Sequence, residues 1–238
     1  MEMILWEDGP VIKYEKTHFM PSMDSALLVD FAKKAMEKKG THVMDLGCGM
    51  GLIPIIIAWD LPHMHIDGIE ILTEAAHLAQ DNIEHNGLSD RIDIINGDIR
   101  KHKELFSPGF YDYVISNPPY YAQDRGKASS NINLRLARSD ENCSLDEIIQ
   151  AAKYLTKTSG AFFMVFKPER LNELFHNLSK HGFEPKRLRF VQHDSNFSPS
   201  LVLLESRRSG KPGLTIEAPL LLNCNGIESD EIRAIYKR

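Results

Sequence analysis

Apolar and polar positions along this chain switch between a helical period and a strand period, and glycines and prolines punctuate the switches. Leu27, Leu28, Phe31, Ala32 and Ala35 recur at helical spacing between Ser22 and Lys39, with Gly40 just beyond, and predict a helix. His42 to Leu46 then predicts a strand, Gly47 to Gly51 a glycine-rich turn, and the apolar run to about Asp60 a helix. Pro54 falls in the first turn of that helix, where a missing N–H is tolerated. A strand from His65 to Ile69 follows. Next comes a helix from Thr73 to Asn86, with Thr73 as its N-cap and Gly87 closing it. Arg91 to Asn96 and Tyr111 to Ser116 are the next strands.

The stretch from Asn117 to Asn142 has little periodicity, and a loop of that length inside a compact domain is usually functional or mobile. Ser144-Leu-Asp-Glu147 has the spacing of a capping box and predicts a helix to about Thr158. Ala161 to Phe166 predicts a strand and Glu169 to His181 a helix, with further strands near Lys186 to Gln192 and Ser200 to Glu205. The tail reads as a loop, an extended piece near Leu214 to Leu222, and a helical turn from Ser229. Strands alternating with helices predict an α/β fold, a mostly parallel sheet with helices on both faces. The 238 residues suit one such domain: an N-terminal extension and helix (1–40), a core (41–206) and a C-terminal tail (207–238).

Composition narrows the class without naming a chemistry. The chain is 42% hydrophobic and 26% charged, as globular proteins are, and its longest apolar run, Leu52 to Trp59, is too short to span a bilayer. The start, Met-Glu-Met-Ile-Leu-Trp-Glu-Asp, lacks the pattern of a secretory signal, so a cytoplasmic location is expected. The 3 cysteines are far apart, which argues against a disulfide framework, and no cysteine or acid completes metal-ligand spacing around His63 and His65. No metal is expected. A net charge of −5 argues against a non-specific nucleic-acid binder, but two local runs are basic. Arg125, Lys127, Arg135 and Arg138 face only Asp124. Lys186, Arg187, Arg189, Arg207, Arg208 and Lys211 face Asp194 and Glu205. Either run is ordinarily a solvated surface; their expected nearness to the site described next favours a substrate contact.

Asp45-Leu-Gly-Cys-Gly-Met-Gly51 lies between a strand and a helix, the context in which a glycine turn counts as evidence for a nucleotide-like ligand. Its G-x-G-x-G spacing differs from the dinucleotide fingerprint built to approach a pyrophosphate. S-adenosylmethionine, with an ammonium, a carboxylate, a ribose and an adenine but no phosphate, fits instead. Gly47, Gly49 and Gly51 let backbone come close to it. Asp45 can hold its cationic amino-acid end, Glu70 its ribose hydroxyls, and Asp98 its adenine amino group. Each acid alone would read as a solvated turn residue. Three of them at the carboxyl ends of successive strands lie where open α/β sheets bind ligands.

Asn117-Pro-Pro-Tyr120 follows directly on a strand. An ordinary proline turn would end a strand this way too, but the chemistry favours more. An amino group conjugated to a ring or carbonyl is a poor nucleophile because its lone pair is delocalised inward. If the Asn117 side-chain oxygen and the Pro118 carbonyl each accept one of its N–H bonds, the lone pair turns outward toward an incoming methyl. Prolines stiffen the turn and remove competing donors. Tyr120 would stack on the planar target, with Tyr121 assisting.

These residues resemble class I S-adenosylmethionine-dependent methyltransferases with a Rossmann-like fold. The fuller pattern is similar to the bacterial valine-tRNA adenine-N6 methyltransferase family, which modifies the adenine beside the anticodon. The resemblance runs through Phe19 to Leu28, Asp45 to Pro54, Ile69-Glu70, Ser116 to Tyr121, Arg135 to Arg138 and Ser144 to Glu147. It continues in Lys167 to Leu171, Gly210 to Leu214 and Arg233 to Tyr236. It implies a seven-stranded sheet whose last strand is antiparallel, with the donor over Gly47 to Gly51 and the target base at Asn117 to Tyr120. It also implies S-adenosylhomocysteine as product and tRNA as partner; Arg125 and Arg138, from the basic run beyond Tyr120, are the candidate RNA contacts. Relatives often carry Ala-Arg-His-Glu where this chain has Ala137-Arg138-Ser139-Asp140, so any role of that histidine is absent.

A release-factor glutamine N5-methyltransferase is the alternative, since a glutamine amide is also a planar amine. That family carries a helical recognition domain before its catalytic fold, and only about 20 residues precede the first helix expected here. DNA-adenine enzymes usually add a target-recognition domain for which little length remains. A non-catalytic RNA-binding module would not need the intact acids, glycines and Asn117.

Overall fold

The computed structural model describes residues 1–14, 23–37, 40–118 and 143–237. The chain opens with a hairpin, β1 (Glu2–Ile4) and β2 (Val11–Lys13), followed by α1 (Met23–Met36). Alternating elements follow: β3 (His42–Leu46), α2 (Leu52–Asp60), β4 (His65–Glu70), α3 (Thr73–His85), β5 (Ile92–Asn96), α4 (His102–Leu105) and β6 (Tyr111–Ser116). Beyond residue 142 come α5 (Leu145–Leu155), β7 (Thr156–Phe166), α6 (Leu171–Lys180), β8 (Phe183–Gln192) and β9 (Leu201–Arg208). The tail adds the short strands β10 (Thr215–Ile216), β11 (Leu220–Leu221), β12 (Asn223–Cys224) and β13 (Ile227–Glu228), then α7 (Asp230–Ile235).

Seven strands lie side by side in the order β5-β4-β3-β6-β7-β9-β8, all parallel except β9, which runs antiparallel to both of its neighbours. The expected seven-stranded sheet is therefore present. It is extended by β10 and β11, which both pair parallel with β8 and make it nine-stranded. Period-two alternation divides the core between its faces. Val43, Tyr113, Ile115, Phe163 and Val165 join the cluster under α1 and α2. Met44, Leu46, Val114, Phe162, Met164 and Phe166 join the cluster under α5 and α6. Such burial on both faces explains why the central strands read as nearly continuous apolar runs.

Local chemistry sets the element ends. Ser144 and Glu147 form the expected capping box, each side chain answering the other's backbone N–H. Ser229 caps α7 through the Ile232 N–H. Thr73 is not the cap of α3: Leu72 holds that position, and the Thr73 hydroxyl donates to Asn96 Oδ1 at 2.9 Å. The helix expected to reach Thr158 stops at Leu155, because Thr156 already pairs with Tyr111 at the start of β7. The β1–β2 hairpin, which periodicity over so few residues cannot reveal, is tied to α3 by two asparagines. Asn82 Oδ1 accepts the Lys13 N–H at 2.7 Å and Asn86 Oδ1 the Val11 N–H at 2.9 Å. Asn82 also donates to the Met50 carbonyl at 3.1 Å, so the hairpin braces the glycine turn.

Candidate active site

The glycine turn leaves β3 in the left-handed region, with φ of 78° at Gly47, 55° at Gly49 and 85° at Gly51. A Cβ at Gly47 or Gly49 would meet nothing within 4 Å, so these two present bare backbone to open space. Gly51 faces inward, where a Cβ would lie 3.2 Å from Ala79 of α3. Four N–H groups of the turn are engaged inside the protein. Gly47 and Cys48 donate to the Ile69 carbonyl, Gly51 to the Cys48 carbonyl, and Gly49 to Glu70. A phosphate nest needs such donors unspent. Their engagement fits a ligand held by close backbone approach and by acids.

Asp45, near the end of β3, is fully buried, and neither carboxylate oxygen has a hydrogen-bond partner among the described residues. Burial first, and then the charge of Glu70, push its pKa well above the ordinary carboxylate range. An uncompensated buried acid calls for a cation, and the ammonium of a bound amino acid supplies one. Glu70, at the end of β4 and 7% exposed, accepts the Gly49 N–H on Oε2 and the Leu72 N–H on Oε1, each at 2.9 Å. Each oxygen keeps a further lone pair for a ligand hydroxyl. The same burial and charge raise the Cys48 thiol, which stays protonated packing material.

Asp98 follows β5 as expected, but its carboxylate is taken up by Arg100, whose Nη2 lies 2.6 Å from Oδ2 and whose Nε lies 3.0 Å from both oxygens. That guanidinium holds the Asp98 pKa below its usual value. An adenine amino group reaching Asp98 must share it with Arg100.

Asn117 continues directly from β6. The strand register pairs Asp45 with Ile115, and continued two residues it puts Asn117 level with Gly47, just past the end of β3. The buried Ser116 hydroxyl donates to the Leu46 carbonyl at 2.8 Å and locks these two strand ends together. Asn117 Nδ2 donates to the hydroxyl of Ser25 on α1 at 2.9 Å, and Pro118 is buried. Tyr120, Tyr121, Arg125 and Arg138 lie outside the described residues.

Three arginines of the second basic run are engaged in ion pairs rather than presented as a free positive surface. Arg187 pairs with Glu205 and Glu217, Arg189 with Glu231, and Arg207 with Glu205, at 2.7–2.9 Å. Arg207 pairs with Ala161, level with Tyr113 and so toward the end of β6 away from Asn117. Spacing in the sequence hid these partners because Glu217 and Glu231 come from the tail. Sequence reading also missed Ser25, Ser116 and Arg100, since a serine in a helix, a strand serine and a turn arginine carry no pattern of their own.

Among the described residues no group of three His, Cys, Asp or Glu side chains could hold a metal, and no helix is long and apolar enough to cross a membrane.

The model of the methyltransferase small domain matches residues 22–181. The chain is 32% identical over 177 residues to tRNA1(Val) (adenine(37)-N6)-methyltransferase of Photorhabdus laumondii, covering 74% of this chain and 71% of that one. It is 26% identical over 184 residues to the enzyme of the same name from Aliivibrio salmonicida, covering 77% and 75%. Among solved structures, a predicted O-methyltransferase, protein Atu636 from Agrobacterium tumefaciens, superposes with a TM-score of 0.74 at 17% identity, covering 90% of this chain and 96% of that one. That likeness shows the fold. With the family model and the tRNA1(Val) relatives, it shows that the chain belongs to the methyltransferase small-domain family, within the group related to the tRNA1(Val) (adenine(37)-N6)-methyltransferases.

Proposed function

We propose that this protein transfers a methyl group from S-adenosylmethionine to the exocyclic N6 of an adenine in RNA, the anticodon-loop adenine of a valine tRNA. The observation that carries the reading is the juxtaposition of two strand ends. Ser116 bonds the Leu46 carbonyl, so the acid-lined glycine turn after β3 and Asn117-Pro118 after β6 lie side by side. The names of the relatives supply the substrate class. A cytoplasmic location, where tRNA is found, accompanies this reading.

Bound S-adenosylmethionine would supply an electrophilic methyl group on a sulfonium, its S–CH3 bond breaking as the methyl passes to nitrogen and S-adenosylhomocysteine leaving. Asp45 would hold its ammonium end and Glu70 its ribose hydroxyls, and Gly47 and Gly49 would give it room. Asn117 Oδ1 and the Pro118 carbonyl accept the two N–H bonds of the adenine amine. They turn its lone pair outward and stabilise the positive charge that develops on nitrogen as the new N–C bond forms. Neither acceptor is a strong base, so the surplus proton passes on to solvent. Tyr120 and Tyr121 stack on the base, and Arg125 and Arg138 contact the RNA backbone.

Incubation with labelled donor and separate pools of tRNA, ribosomal RNA, DNA and peptide-chain release factor tests the assignment. Label in tRNA is expected. Label in release factor alone would transfer the same site to glutamine chemistry and remove the RNA reading.

A further inference from the structure

The side-chain amide of Asn117 can present either its oxygen or its nitrogen to a target, and only the oxygen can accept an amine N–H. One end of the amide is held by α1. Nδ2 donates at 2.9 Å to Oγ of Ser25, a residue of the first turn of α1 that is only 7% exposed. With one donor spent on α1, the opposite corner of the amide, Oδ1, is the one turned away from Ser25. A rotated amide would place Oδ1 on Ser25 and offer the target amine a donor, which repels it.

We propose that Ser25 is a positioning residue for methyl transfer: its hydroxyl, by taking the Nδ2 hydrogen bond, holds the Asn117 amide in place with Oδ1 directed to the target nitrogen. This rests on the reading of Asn117 as the amine acceptor. The first turn of α1 is well placed for the task because the tail pins it. The Tyr236 hydroxyl, just after α7, donates to the Met23 carbonyl at 3.2 Å, and Ile232 and Tyr236 are buried in the same cluster as Leu27 and Phe31. The tail thereby reaches the catalytic amide through one helix turn.

The test compares Ser25→Ala, Ser25→Thr, Asn117→Ala and the Ser25→Ala/Asn117→Ala pair in the full chain. It measures kcat with tRNA, donor affinity by calorimetry, and the Asn117 side-chain NH2 resonances by NMR. Ser25→Ala is expected to lower kcat by about ten- to a hundredfold, the scale for loss of orientation at a reacting centre. Donor Kd stays within about twofold, since the donor's own contacts are untouched. The Asn117 Nδ2 protons lose their hydrogen-bonded shift even without substrate. Ser25→Thr keeps the hydroxyl and recovers turnover. In the Asn117→Ala background, Ser25→Ala has no further effect, because a residue that acts only through the amide has nothing left to orient. Equal losses in both backgrounds, a weakened donor Kd with kcat intact, or unchanged Asn117 resonances would overturn the role of Ser25 while leaving the amine clamp standing. Full turnover in Asn117→Ala would remove the clamp and this inference together.

Discussion

The Glu70 carboxylate accepts the Gly49 N–H at 2.9 Å, so the acid expected to meet a ribose also holds the glycine turn that would receive the rest of the cofactor. The two roles are joined in one side chain at the end of β4. Glu70→Ala is therefore expected to weaken donor binding by about 2–3 kcal/mol, roughly 30- to 150-fold, the scale for losing hydrogen bonds to a charged group. It also lowers Tm by freeing the turn. Calorimetry and thermal unfolding of the same variant check both halves. A loss of affinity with unchanged Tm would show that Glu70 does not brace the turn.

Asp45 gives a prediction of opposite signs. Burial raises its pKa, so the folded chain binds this proton more readily than the unfolded chain does. The stability gained from the neutral acid is present at low pH and is lost as pH rises through the elevated value. Once ionised, the group burdens the ligand-free protein and attracts a cation. Asp45→Asn should raise the Tm of the ligand-free protein by about 2–4 °C, the shift that 1 kcal/mol produces in a chain of this size. It should also weaken the donor about 100-fold, as expected when one partner of a buried charge pair is lost. In the wild type, donor affinity should fall with decreasing pH at values above the ordinary carboxylate range, and Asp45→Asn should flatten that dependence.

The glycines divide by what lies beyond them. Gly49→Ala and Gly51→Ala both place a side chain at positive φ, which costs about 1–2 kcal/mol. Only at Gly49 does the new methyl enter open space at the cradle, while at Gly51 it meets Ala79 at 3.2 Å. Gly49→Ala should lose more donor affinity than its fall in Tm explains; Gly51→Ala should lose mainly stability. Paired Kd and Tm measurements separate them.

Arg100 holds the Asp98 carboxylate. If the donor's adenine amine is to reach that carboxylate, Arg100→Ala should tighten donor binding severalfold and Asp98→Ala should weaken it. Weaker binding in Arg100→Ala would mean instead that the guanidinium itself holds the ligand.

Much of this arrangement was legible in the chain. The sheet could be read because its strands are short apolar runs between strong turn signals. Asp45, Glu70, Asp98 and Asn117 could be placed at strand ends because parallel strands bring their carboxyl ends to one edge. What escaped depends on partners far away in sequence. The ion pairs of Arg187 and Arg189 use Glu217 and Glu231 from the tail, and the bond from Asn117 to Ser25 spans 92 residues. Thr73 looked like a cap, but Asn96 on a neighbouring strand offered its hydroxyl a better acceptor. Local patterns carry local structure; these contacts exist only once the sheet has formed.

Nucleoside analysis of tRNA methylated by the purified protein tests the central claim most directly. The RNA is digested and the labelled nucleoside is identified by chromatography and mass spectrometry. N6-methyladenosine, arising from the anticodon loop of valine tRNA, is the predicted product. A methyl group on a ring nitrogen or a ribose oxygen would contradict the account, because the role proposed for Asn117 and Pro118 is to orient an exocyclic amine and neither of those acceptors has one to offer.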